Sequence, residues 1–169
     1  MVRLQAVIDS WKTVRQDTAQ AVDDFSAHNL DYKPCDGVMT FGELARHTLE
    51  AGHALTGALL DEVDSFATPQ FRELIDKYAA ELPKTDGPGA LARELRAEMD
   101  TRAAQLAAKP ASFWEGEITR RDGMRVTRLE MLQFVKEHEL THRQQLFMYL
   151  RLNGLVPPTT RRRMAQAKA

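Results

Sequence analysis

Apolar positions recur at helical spacing along most of this chain. Leu4, Val7, Ile8, Trp11, Val14, Ala21, Val22 and Phe25 lie three, four and seven residues apart, which predicts one amphipathic helix ending near His28-Asn29. Pro34 and Gly37 mark the stretch 31–39 as a loop. Thr40 with Glu43 then spells a capping box, in which each side chain satisfies the other residue's free backbone N–H. Phe41, Leu44, Thr48, Ala51, Leu55 and Leu59 carry the apolar face of this second helix to about Glu62. A shorter helix is expected from Thr68 as N-cap and Pro69 at the first helical position to about Glu81, with Pro83 ending it.

Gly87, Pro88 and Gly89 break the chain before a third long helix over about 90–108, with Leu91, Leu95, Met99 and Leu106 facing inward. Residues 109–126 are the least helical. Phe113, Trp114, Ile118 and Val126 surround the turn signal Asp122-Gly123, which suits a short hairpin or an ordered loop. Thr127 and Glu130 repeat the capping box and open a last helix to about Asn153. Gly154 supplies its C-cap, and Pro157 and Pro158 stand just beyond. The pattern therefore predicts an all-α fold, a four-helix bundle with a short extra helix and a small hairpin or ordered loop in its connections. The core of such a bundle is a usual place for metal ligands on facing helices.

Composition narrows this little. With 169 residues, 43% hydrophobic and 28% charged, the chain has the make-up of one ordinary globular domain. Residues 1–158 are read as the bundle and 159–169 as a basic, flexible tail. Arg161, Arg162, Arg163 and Lys168 give that tail its charge. The net charge of -1 offers no argument for nucleic acid, and no apolar run nears the roughly 18 residues that span a bilayer. One cysteine, Cys35, precludes an internal disulfide, and the first residues lack a signal-peptide core; a cytoplasmic home is expected. Cys35 is expected to be small and buried rather than a reactive thiol.

The chemistry concentrates on the last helix, in His138-Glu139-Leu140-Thr141-His142. A step of four residues turns about 400°, so the two imidazoles lie on one face, one turn apart. From Leu140 to the end there is no Asp or Glu, and His142 is the only histidine, so a third side-chain ligand must come from upstream. His47 is the best candidate, in register with the inner stripe between Leu44 and Ala51; His53 points elsewhere, about 240° round the helix. Three such ligands would leave at least one coordination position open, as catalytic metal sites do. On spacing alone, hydrogen-bonded histidines without a metal are an equal alternative.

Two segments bear a family resemblance. Phe41-Gly42-Glu43-Leu44-Ala45-Arg46-His47, and His138 to His142 continuing as Arg143-Gln144-Gln145, resemble the DinB-like superfamily of damage-inducible, metal-dependent proteins, which includes YfiT-type and thiol-dependent enzymes. The run 34–39 and the helix end Leu150-Arg151-Leu152-Asn153-Gly154 are similar as well. The resemblance implies a four-helix bundle binding a divalent metal, zinc, nickel or iron, through His47, His138 and His142, commonly as a homodimer. It implies a small-molecule substrate, with the open position holding a low-molecular-weight thiol such as mycothiol or bacillithiol, or activating water. Gln144 departs from the family pattern, where glycine is frequent, and bears on local packing and the substrate pocket.

Glu50, Glu139, Arg143 and Gln145 are candidates to orient a ligand or touch substrate, with solvated positions, a surface salt bridge and helix packing as their plainer uses. Glu139 is expected at the bundle edge or behind a ligand. Phe113 and Trp114 could line a pocket, but packing the hairpin is their commoner use. Three functions stay open: a metal-dependent transferase or hydrolase, a non-catalytic metal-stabilised stress-response bundle or binding protein, and a zincin-type protease with Glu139 as base.

Overall fold

Both capping boxes form, and they fix where the two helices that carry His47, His138 and His142 begin. Thr40 Oγ1 accepts from the Glu43 N–H at 3.1 Å while Glu43 Oε2 accepts from the Thr40 N–H at 2.7 Å. Thr127 and Glu130 do the same at 3.2 and 2.7 Å. The computed structural model describes residues 3–25, 30–85 and 87–167. Among them lie α1 (Leu4–Asp24), α2 (Phe41–Leu60), α3 (Phe71–Ala79), α4 (Pro88–Ala107), α5 (Ala111–Glu115), β1 (Glu117–Thr119), β2 (Arg125–Thr127), α6 (Arg128–Leu152) and α7 (Pro158–Gln166). No described helix is long and apolar enough to cross a membrane.

The four long helices close into a ring: α1 packs on α4 and α6, and α2 packs on the same two. Two apolar clusters fill it. One joins Val7, Ile8 and Trp11 of α1 to Leu55 and Leu59 of α2, Met99 and Leu106 of α4, and Met131 and Val135 of α6. The other joins Val22 of α1 to Leu44, Leu95 and Leu146. From the order of these residues along each helix, α1 and α6 run one way and α2 and α4 the other. The chain must therefore travel back from the end of α2 to the start of α4. The segment carrying α3 makes that return, with α3 packed on α2 and the Pro83 carbonyl accepting from Arg46 Nη1 at 3.0 Å.

Between the clusters lies a charged layer that the apolar pattern does not announce. Arg15 is fully buried and its guanidinium donates to Glu98 Oε2 at 2.9 Å and Glu139 Oε1 at 2.8 Å. Burial opposes its charge, but the two carboxylates outweigh that and raise its pKa. Burial pushes Glu98 up, yet the hydrogen bond with His53 and the charges of Arg15, His53 and Arg102 hold it below the usual range. Trp11 Nε1 donates to Glu139 Oε2 at 2.6 Å. One ion-pair layer thus ties α1, α4 and α6 at a common height.

Gly52 of α2 faces this layer, and a Cβ there would collide with Arg15 Nη2. We expect Gly52→Ala to lower stability by about 1–3 kcal/mol despite alanine's better helix propensity, because the clashing atom belongs to a buried guanidinium that two ion pairs, through Nε and Nη1, hold in place. Urea unfolding measures it, and a gain in stability would contradict this packing.

Several expectations need correction. Helix α3 starts at Phe71, because Thr68 instead caps a turn, its Oγ1 accepting from the Gln70 N–H at 3.3 Å. Pro88 lies at the start of α4 rather than in the break. The predicted end of the first helix at His28-Asn29 lies outside the described residues. The hairpin at Asp122-Gly123 is present, with Ile118 opposite Val126 and Gly123 at φ 85°, but a short helix, α5, precedes it. Its Phe113 and Trp114 are buried in the core. Cys35 is exposed, not buried.

Most of the supposed flexible tail is helix α7. It docks on α1 through Arg162 on Asp17 at 2.7 Å and Arg161 on Asp24 at 2.7 Å, so its basic residues complement acidic ones on α1.

Candidate metal centre

α2 and α6 are neighbours, and their facing surfaces bring His47, His138 and His142 together. One ring nitrogen from each lies within 4.8 Å of the others. Ring centroids are 5.4 Å apart for His47 and His138, 4.9 Å for His47 and His142, and 4.4 Å for His138 and His142. All three rings are half-buried. His53 is elsewhere, beside Glu81, Glu98 and Arg102, as the helical rotation predicts.

The protonation pattern suits a cation. His142 Nδ1 lies 2.7 Å from Gln145 Oε1. That oxygen can only accept, so Nδ1 carries the hydrogen and Nε2 presents its lone pair to the cluster. His138 Nε2 stands 3.1 Å from His142 Nε2. Two ligand nitrogens about 2.1 Å from one ion are about 3.0 Å apart at a right angle and about 3.4 Å apart at a tetrahedral one, so the observed separation fits. Without an ion, a proton must sit between these nitrogens; metal binding would displace it.

Burial, then the proximity of His142 and His47, pushes His138 down to about 4. Burial, His142 and Arg72 lower His47, against an opposing pull from Glu50. His47 and His138 are therefore neutral over a wider pH range than a free imidazole. A donor set of three imidazoles fits zinc, nickel or iron(II).

A stability prediction follows from His138. Its folded pKa is depressed below the unfolded value of about 6.5, so the unfolded chain takes up this proton first. The contribution is fully present above about pH 6.5 and is lost as pH falls toward 4. The urea midpoint of metal-free wild type is expected to fall more between pH 6.5 and 4.5 than that of His138→Ala. Parallel curves for the two proteins would contradict it.

Beside the imidazoles opens a cavity of about 650 Å3, lined by both His47 and His138. Its walls are apolar, with Leu55 of α2, Ile75 of α3 and Met131 and Phe134 of α6. Its rim carries Arg72 of α3 and Arg120, Arg121 and Asp122 of the hairpin. The segment least legible in the sequence thus supplies much of the mouth.

Of the four accessory candidates, Gln145 touches His142 directly. Glu50 pairs with Arg46 at 2.7 Å and acts on His47 through its charge. Arg143 is buried, donates to Asp17 at 3.2 Å and lies over the Phe147 ring; it belongs to the α1–α7 side of the bundle. Glu139 is 1% exposed, with one oxygen accepting from Trp11 and the other from Arg15. It is neither at the bundle edge nor hydrogen-bonded to one of the three histidines, and it lies in the buried charged layer rather than in the lining of the cavity, out of reach of a substrate there. The zincin-type reading fails on this geometry. Gln144 is exposed on the outer face of α6, so its departure from the family pattern touches neither the core nor the cavity.

Comparison with known proteins agrees with this architecture. The sequence pattern of the DinB family matches residues 1–168. An uncharacterized protein of Bacillus subtilis, YjoA, is 24% identical over 155 residues, covering 91% of this chain and 93% of its own. The crystal structure of YjoA, described as a DinB-like protein, superposes with a TM-score of 0.66 over 88% of this chain and 92% of that one. At 21% identity that likeness speaks for the fold alone.

Proposed function

This chain belongs to the DinB family, and from that premise we propose that it is a metal-dependent enzyme acting on a small molecule. The observation that carries the reading is the meeting of His47, His138 and His142 from two facing helices at the wall of a cavity of about 650 Å3, a usual size for a small-molecule site. A divalent ion held by the three imidazoles would lower the proton affinity of a thiol or a water in its remaining position, the basis of thiol transfer or of hydrolysis. Gln145 holds His142 in the tautomer that such an ion needs, and the apolar walls exclude bulk water from the reacting end of a substrate. Zinc, nickel and iron(II) all suit the donors. The reading places the protein in the cytoplasm, as a homodimer. The exposed Met148 and Leu152 on the outer face of α6 are consistent with a second copy there.

The test is a panel of thiol-transfer reactions, with bacillithiol or mycothiol as the donor, and of ester and amide hydrolyses. It uses the protein reconstituted separately with each metal. Turnover that falls at least about a hundredfold in His142→Ala supports the reading. A non-catalytic, metal-stabilised bundle is the better account if a full metal equivalent is bound and no reaction exceeds the metal-free background.

A further inference from the structure

The mouth of the cavity carries an excess of positive charge on a chain whose net charge is -1. Arg72, Arg120 and Arg121 line it against one carboxylate, Asp122. These arginines are not equivalent. Arg72 pairs with Asp76 at 3.0 Å and Arg120 with Asp122 at 2.9 Å. Arg121 has no carboxylate within ion-pair distance among the described residues, and its guanidinium lies 4.6 Å over the Phe71 ring. Arg120 lies likewise 4.8 Å over Phe134. A cation–π contact holds a guanidinium over its ring while its N–H groups can still donate to an anion, and those of Arg121, without a carboxylate partner among the described residues, are open to one. Both rings are cavity walls, so each guanidinium is held at the boundary between the apolar space and solvent.

Resting on the function proposed above, we infer that the hairpin and α3 form an anion-binding subsite, with Arg121 as its principal donor and Arg120 beside it. The ligand it takes is an amphipathic small molecule with a carboxylate or phosphate head. The head pairs with Arg121, the apolar body lies along Leu55, Ile75 and Met131, and the far end reaches His47 and His138. The arginines are binding residues that set which substrates enter and in which direction.

Octanoate, octyl phosphate and 1-octanol are suitable probes, because one chain length carries two anionic heads and a neutral one. Calorimetric titration of the metal-reconstituted protein should give at least about tenfold tighter binding of one or both anions than of octanol, as expected for charge-assisted hydrogen bonds. Arg121→Gln should remove about tenfold from the anion and leave octanol binding unchanged, which also reports an intact cavity. Whichever anion binds more tightly identifies the head group.

Equal binding of all three probes, or anion binding indifferent to Arg121→Gln, overturns the inference. So does anion binding that disappears in His47→Ala but survives in Arg121→Gln, because the head would then sit at the metal; that result leaves the metal reading standing. Arg121-dependent binding that persists in His47→Ala supports the subsite even if the three histidines hold no ion.

Discussion

Arg15→Met is expected to destabilise the protein by about 3–5 kcal/mol, the range for removing one partner of a buried ion pair. The methionine fills a similar volume, so packing is a minor part of the loss. The cost lies in the carboxylates left behind. Glu98 keeps Arg102 and His53 nearby, at 3.5 and 3.4 Å, but Glu139, 1% exposed, keeps a hydrogen bond from the indole N–H of Trp11 and only the more distant charge of Arg143 among the described residues. Adding Glu139→Gln to Arg15→Met should therefore recover part of the loss, a non-additivity that two independent surface changes would not show. Urea denaturation of the two single variants and the double variant reads both effects. A loss below about 1 kcal/mol for Arg15→Met would mean that the charged layer is not what ties α1, α4 and α6 together.

His138→Ala has a different signature. A ligand that binds only the folded state at 100 to 1,000 times its dissociation constant stabilises by about 2.7–4.1 kcal/mol. Wild type should gain about that much from a saturating divalent ion, and His138→Ala should gain almost none. Without metal the substitution should cost little, since it removes a ring that burial already disfavours in its charged form. Thermal melts with and without metal separate the two terms. A His138→Ala protein that is equally destabilised under both conditions would mark a packing residue rather than a ligand.

How much of this was legible in the sequence depends on which kind of signal each element uses. The capping boxes at Thr40 and Thr127, the Gly154 terminus and the apolar stripes of the four long helices rest on local chemistry, and they form where spacing puts them. The histidines were found the same way, because two share a helix face and the third has a fixed register on its own.

Contacts between distant segments left no such mark. Arg15 and Glu139 occupy polar positions in an amphipathic pattern, and nothing local says that they face each other 124 residues apart. The same blindness made α7 look like a loose tail, since Asp17 and Asp24, which anchor it, lie at the other end of the chain. The cavity mouth is the third case. Arg120 and Arg121 read as ordinary hairpin residues until α3 and α6 supply the rings beneath them.

The central claim is that one ion joins two helices through three imidazoles. Elemental analysis of untagged wild type beside His47→Ala tests it most directly, because His47 comes from a different helix than the other two. About one equivalent of zinc, nickel or iron in wild type, falling below about a tenth of that in His47→Ala, is the predicted result. A full equivalent retained by His47→Ala, or none in wild type after reconstitution, would contradict it.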